Sequence, residues 1–246
     1  MTTTYALAGV TDVLQPAHQK YNDALYNAGK AMEDLMEICQ CPQFETREGW
    51  EKRASRSNCI VYSKPFQFGT VFTLRAEFDF PLEQLFHEHW KNFDYAPQFS
   101  KNASFVKRIE TLTPFVDVIH YGLSDEIGIS ARDFLAGRMH RRVGNELFVA
   151  VRSYEHEGFG EVENSIRGEL ILGGGRFRVS PSDARKTIVD YVLCADFKGT
   201  DSDDEKRDQA LMKFMIEDVE GARKEIAHIK VRVRKQSQGE EEEHFF

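Results

Sequence analysis

ARDFLAGRMHRR, residues 131–142, alternates like a β-strand but does not sort its charges to one side. Arg132, Phe134, Ala136 and Arg138 fall on one face, and Asp133, Leu135, Gly137 and Met139 on the other. Neither face is cleanly apolar. An exposed edge strand would keep these charges in water. A strand lining a cavity would keep a charge for a ligand. The residues alone leave both arrangements open.

Working outward, further strands are expected at 103–111, 114–123, 146–157, 163–172, 175–180 and 186–198, with VGNE, LGGG and SPSD as turns. TVFTLRAEFDF (70–80) alternates Phe72, Leu74, Ala76, Phe78 and Phe80 with polar residues, and two short strands are expected before it, within 49–69. Pro81 suits the first turn of a helix that buries Leu82, Leu85, Phe86, His89 and Trp90. Upstream, Tyr21, Leu25, Ala28, Met32, Leu35 and Cys39 recur at helical spacing, and Pro42 ends that helix. A last amphipathic helix is expected over about 205–229, with Leu211, Phe214, Met215, Val219, Ala222, Ile226 and Ile229 on its apolar side. Residues 1–16 read as an irregular lead-in, 17–230 as one domain, and 231–246 as a basic-then-acidic, disordered tail. The order predicts an α+β fold, a curved antiparallel sheet with helices on one side.

Composition narrows the function. The 246 residues are 41% hydrophobic and include 19 Phe, enough for a large core and an apolar lining besides. A net charge of -8 argues against a nucleic-acid partner, which needs a concentrated basic surface. No stretch approaches 18 consecutive apolar residues, and the N-terminus reads as neither a secretory signal nor a transit peptide. Cys39, Cys41, Cys59 and Cys194 are too few for a disulfide framework and suit free thiols in a reducing, cytoplasmic setting. No metal site or cofactor is expected, because CQC lacks a second ligand pair and LGGG does not open a helix. His87 and His89 point apart on a helix, and no nucleophile elbow is present, so catalytic residues are not expected. The basic run KVRVRK (230–235) suits either a solvated helix end or transient contact with an anionic membrane surface.

The stretch ARDFLAGRMHRRVG also resembles the R-D-F-x-x-x-R-x-x-R-R-x-G segment of START domains, the lipid-transfer family named for the steroidogenic acute regulatory protein. EGWEK, GTVFTLRAEFDFPLEQLF, SIRGE and VLCADFKG look like further pieces of the family in its order, across about 30–230. The likeness is to the cholesterol-binding branch. It implies a helix-grip fold, a curved antiparallel sheet around a hydrophobic tunnel closed by the C-terminal helix. It implies a soluble intracellular carrier of one sterol or similarly sized lipid, without catalysis.

By that resemblance the arginine at 138 points into the tunnel and pairs with an acid of the preceding strand. The acid's place falls at Tyr121, with Asp117 on the same face as a substitute. Arg138, Tyr121 and Asp117 are then the polar end, and Phe134, Leu211, Met215 and Val219 the wall and lid. The chain departs from the phosphatidylcholine-binding branch at YAPQFS, with Ala96 and Ser100 where that branch has an Arg and an Asp. It departs again in the acidic TDSDDE after Gly199, a loop that is apolar in relatives. Two other readings remain: a helix-grip enzyme of cyclase or hydrolase type, for which Asp117 with His120 is the local acid–base candidate, and an interaction module with a collapsed tunnel.

Overall fold

A computed structural model describes residues 3–160, 162–200 and 203–243, with side chains in the last segment through Lys230. A hairpin of β1 (Thr4–Leu7) and β2 (Val10–Val13) precedes α1 (Asn22–Gln40) and the short α2 (Pro42–Thr46). Then come β3 (Glu51–Arg56), β4 (Cys59–Phe66), β5 (Gly69–Phe78) and α3 (Leu82–Lys91). Next are β6 (Ala103–Thr113), β7 (Val116–Leu123), β8 (Arg132–Val143), β9 (Glu146–Ser153) and the two-residue β10 (Ile166–Arg167). The chain closes with β11 (Glu169–Ser180), β12 (Asp183–Asp196) and α4 (Asp204–Glu243). Strands β3 to β12 form one sheet in the order β3-β4-β5-β12-β11-β9-β8-β7-β6, antiparallel throughout except where β10 runs parallel to β8, and β1 and β2 pair separately.

The odd–even alternation of this sheet separates two cores. On β9, Phe148 and Ala150 pack with Leu25, Ala28, Met32 and Leu35 of α1, whereas Leu147 and Val149 face α3 and α4. Helices therefore cover both faces, not one. The expectation of a single side failed because α1 and α4 are both amphipathic, and periodicity says nothing about which face each one takes. Bulges bend the edge pairing of β6 with β7, where the register shifts three times. Gly137 permits the close approach of α1, since a Cβ there would run into the backbone carbonyl of Ala24.

Two further expectations need correction. Residues 1–16 are not irregular. Ala8 and Gly9 both take positive φ (53° and 77°), which suits a two-residue hairpin turn. Asp12 then reaches Arg141, and both are buried, so the hairpin belongs to the domain. Nor is LGGG a turn, because Gly173, Gly174 and Gly175 lie within the single strand β11. Gly174 sits at φ 134°, and a Cβ there would meet the Val149 carbonyl of the neighbouring strand. The glycines serve crowding inside the sheet, which looks like turn chemistry in a sequence. Helix α4 continues to Glu243 through most of the tail expected to be disordered at 231–246, whose side chains lie outside those described.

Candidate functional site

Strand β8 runs between β7 and β9, so its charges are not at an edge. Arg132, Asp133, Arg138 and Arg141 are buried and partnered, whereas Arg142 is exposed and pairs with Glu83. Arg132 donates to the backbone carbonyls of Phe197 (2.6 Å) and Lys198 (3.1 Å), tying β8 to the segment before α4. On the opposite face, Asp133 lies 2.7 Å from both His120 Nε2 and Arg167 Nε.

Arg138 is 2% exposed and stands directly across from Asp117 of β7. Its Nε donates to Asp117 Oδ1 at 2.9 Å and its Nη2 to Oδ2 at 2.7 Å. The same guanidinium donates to the carbonyls of Trp90 (2.9 Å) and His89 (3.3 Å) at the end of α3. It lies 4.0 and 4.1 Å from the ring centroids of Trp90 and Phe93. Arg108 adds a bond to Asp117 at 3.1 Å and another to the Trp90 carbonyl at 2.8 Å. A buried guanidinium of this kind is tolerable only because a carboxylate and carbonyls complete its shell. Most of its donors are therefore committed to protein.

The α4 side of the sheet encloses a cavity of about 270 Å³. Its wall is mainly apolar, including Leu74, Phe78, Ile119, Val149, Val151, Phe177, Val189 and Leu193 from five strands, with Phe93 and Phe99 near one end. Helix α4 roofs it with Phe214, Val219, Ala222, Ile226 and Ile229. The roof is tied down around its rim. Arg53 meets Asp208 at 3.0 Å, Arg223 donates to the Ser57 carbonyl at 3.2 Å, Lys213 reaches the Glu126 carbonyl, and Lys230 meets Asp79 at 2.7 Å.

Of the expected site residues, Arg138, Tyr121 and Val219 line this cavity. Asp117 stands behind Arg138 as its partner. Phe134, Leu211 and Met215 are packed in the surrounding core, outside the lining. Phe134 stacks on Tyr121 (5.1 Å between centroids), with Gly168 close against its ring. Leu211 and Met215 stand outside the lining, which α4 supplies from Phe214 onward through Asp218, Ala222 and Glu225. Asp117 and His120 do not form an acid–base pair, since each is held by other partners on opposite faces of β7.

Sequence reasoning missed most of the remaining polar lining, including His89, Glu88, Tyr191, Asp218 and Glu225. Burial, with the Arg138 charge nearby, pushes the His89 imidazole down to about 4 and keeps it neutral. Burial pushes Asp218 up to about 6. It also raises Glu225, with the charges of Glu88 and Asp218 adding to it, to about 7. Burial and the Asp218 charge hold both Tyr121 and Tyr191 above the ordinary phenol range. A signal was present: Phe214, Asp218, Ala222 and Glu225 recur at spacings of four, four and three, so the acids share a face with apolar neighbours.

Residues 32–204 match the START domain family. The chain belongs to that family. Within START proteins it is 31% identical over 195 residues to steroidogenic acute regulatory-like protein 1 of Caenorhabditis elegans, covering 78% of this chain and 75% of the relative. It is 27% identical over 157 residues to the steroidogenic acute regulatory protein of Xenopus laevis, covering 62% of this chain. It spans 55% of that relative's length, little more than half. Human StAR-related lipid transfer protein 5 superposes with a TM-score of 0.73 at 15% identity, covering 85% of this chain and 99% of the other. Human STARD10 does so with a TM-score of 0.65 at 20% identity, covering 81% and 82%. These establish the START fold and a lipid-binding, lipid-transfer family. No helix among the described residues is long and apolar enough to cross a membrane.

Proposed function

We propose that this START domain binds one sterol, or an apolar lipid of similar size, in the cavity beneath α4 and carries it between membranes without chemically altering it. The observation behind this is an apolar cavity roofed by a single amphipathic helix. Burying such a lipid gains roughly 25 cal/mol for each Å² of apolar surface removed from water. Loading requires the roof or its flanking turns to move, and the rim contacts of α4 are mostly exposed pairs that solvent screens. A roof so lightly tied suits uptake and release at a membrane surface. The four free cysteines are consistent with a cytoplasmic setting. For membrane contact at 230–235, Lys230 is engaged with Asp79, and the other side chains lie outside the described residues.

The test is organic extraction of the purified protein with lipid mass spectrometry, followed by vesicle-to-vesicle transfer of a fluorescent sterol. One lipid per chain and transfer proportional to protein concentration are expected. A protein that yields no lipid and moves none would overturn the reading.

A further inference from the structure

A second, smaller pocket of about 160 Å³ lies beside α4 and shares Phe99 and Ser100 with the first. Three elements build it: Arg56 at the end of β3, the segment 99–102 before β6, and Glu217, Glu220 and Lys224 along one side of α4. Each element is held by contacts of its own. Ser57, next to Arg56, hydrogen-bonds Glu220, and its carbonyl accepts from Arg223 at 3.2 Å. The Phe99 carbonyl crosses α4 at Gly221, where a Cβ would come within 3.2 Å of it. Ser124 donates through its backbone to the Asn102 carbonyl (2.8 Å) and through its hydroxyl to the Lys101 carbonyl (2.9 Å). Asn102 is thus anchored by its backbone and is fully buried. Yet neither its amide nitrogen nor its amide oxygen has a hydrogen-bond partner among the described residues. The same holds for the buried Oε2 of Glu217. Folded proteins rarely leave buried polar groups so, because an orphaned donor or acceptor keeps its full desolvation penalty. Arg56, Lys101 and Lys224 are exposed, and set three positive charges around the mouth.

We propose that this pocket binds the ammonium and carboxylate of a small α-amino acid, and that the bound molecule pins α4 to the sheet. The orphaned groups define the class. Glu217 Oε2 and Asn102 Oδ1 only accept, so the ligand must bring hydrogens, and an ammonium brings three while neutralising the carboxylate. Asn102 Nδ2 only donates, so the ligand must also bring an acceptor, and the three cations at the mouth favour a negative one. An α-amino acid carries its donor and acceptor side by side, matching the paired oxygen and nitrogen of one carboxamide. A lone anion would face Glu217 with the same charge. A lone amine would leave Asn102 Nδ2 and the mouth unanswered. The phosphatidylserine headgroup offers the same chemistry as the free acid, and experiment separates the two sources. Glu217 and Lys224 belong to α4, whereas Arg56 and Asn102 do not. A ligand touching both sets binds only while the roof is seated, and so holds it there. That consequence for lipid exchange rests on the carrier reading; the site itself does not.

Isothermal titration of the full chain with glycine, L-alanine and L-serine tests the site. At least one should bind, one molecule per chain. N-acetyl-L-serine, which lacks the ammonium, and L-serine methyl ester, which lacks the carboxylate, should not. Glu217→Gln should weaken binding about ten- to a hundred-fold, the effect of one charge-assisted hydrogen bond. Asn102→Leu should abolish binding, and the unliganded variant should melt no lower than wild type, because an orphaned amide has gone. Lys224→Ala, at an exposed position, should weaken binding several-fold and guards against misfolding of the buried variant. Flotation with phosphatidylcholine vesicles containing phosphatidylserine or, at equal charge, phosphatidylglycerol separates the sources. A Glu217-dependent preference for phosphatidylserine, without binding of the free acids, assigns the site to the headgroup. Neither binding nor such a preference, or binding unchanged in both Glu217→Gln and Lys224→Ala, overturns the proposal. With the bound amino acid at about ten times its Kd, release of a fluorescent sterol should slow about ten-fold. Unchanged release removes the pinning of α4. If wild type takes up no sterol, the carrier reading falls while the titration still decides the site.

Discussion

Replacing Arg138 by Met tests whether this residue serves the protein or the ligand. The change removes two bonds to Asp117 (2.9 and 2.7 Å) and two to backbone carbonyls at the end of α3. Breaking one side of a buried ion pair costs about 3–5 kcal/mol, mostly because the surviving charge is stranded. Here Asp117 keeps its bond from Arg108 at 3.1 Å, so the lower end, about 3 kcal/mol, applies. For a domain of this size that lowers the melting temperature by about 6–12 °C. Replacing both residues, Arg138→Met with Asp117→Leu, strands no carboxylate and should recover part of the loss. The assay is urea and thermal unfolding of ligand-free protein. A single variant within about 0.5 kcal/mol of wild type, or a double variant worse than the sum of the singles, would refute the reasoning.

Other outcomes follow from the same geometry. Ala222→Trp should fill the cavity from the roof and abolish sterol uptake while circular dichroism stays unchanged; retained uptake would place the ligand elsewhere. Gly137→Ala should cost several kcal/mol in chemical denaturation, because the new methyl group meets the Ala24 carbonyl of α1 and strand and helix must separate. Asp218 gives a pH signature. Its folded value, about 6, is above the unfolded one, so its contribution to stability is fully present below about pH 4 and is lost as pH rises through 6. Asp218→Asn should therefore stabilise the ligand-free protein by about 1–3 kcal/mol at pH 8 and change little at pH 4, read by melting curves at the two pH values. His89 works oppositely, losing stability as pH falls from 6.5 toward 4, so the comparison is between variant and wild type at each pH.

Much of the architecture was legible from alternation and helical spacing. Leu25, Ala28, Met32, Leu35 and Cys39 mark α1, and Phe72, Leu74, Ala76 and Phe78 mark β5, because one buried face leaves a clear period in each. The mixed pattern of β8 was legible only as a puzzle. Its solution depends on partners far along the chain: Asp12 for Arg141, Asp117 for Arg138 and Phe197 for Arg132. The placement of Asp117 opposite Arg138 also depends on the register of β7 with β8, which is unbroken but is set across the intervening loop at 124–131. The inward face of α4 was misjudged by about one residue. Choosing Leu211 and Met215 followed hydrophobicity, whereas the cavity selects the adjacent stripe, in which Asp218 and Glu225 interrupt the apolar run.

The glycine run on β11 has a bearing on how such a chamber could be resized. Gly173, Gly174 and Gly175 form part of its floor, where the backbone itself lies bare to the cavity. Two of these positions are locked: a methyl group at Gly175 would come within 2.7 Å of the Asp190 carbonyl, and one at Gly174 would strike the Val149 carbonyl. Gly173 is looser, since its nearest obstacle is the end of the Leu170 side chain at 2.9 Å. Any descendant of this domain adapting to a shorter or bulkier cargo would find its floor nearly immutable. It would have to move the walls and ceiling, at Val151, Val189 or Ala222, where side chains can be exchanged one at a time.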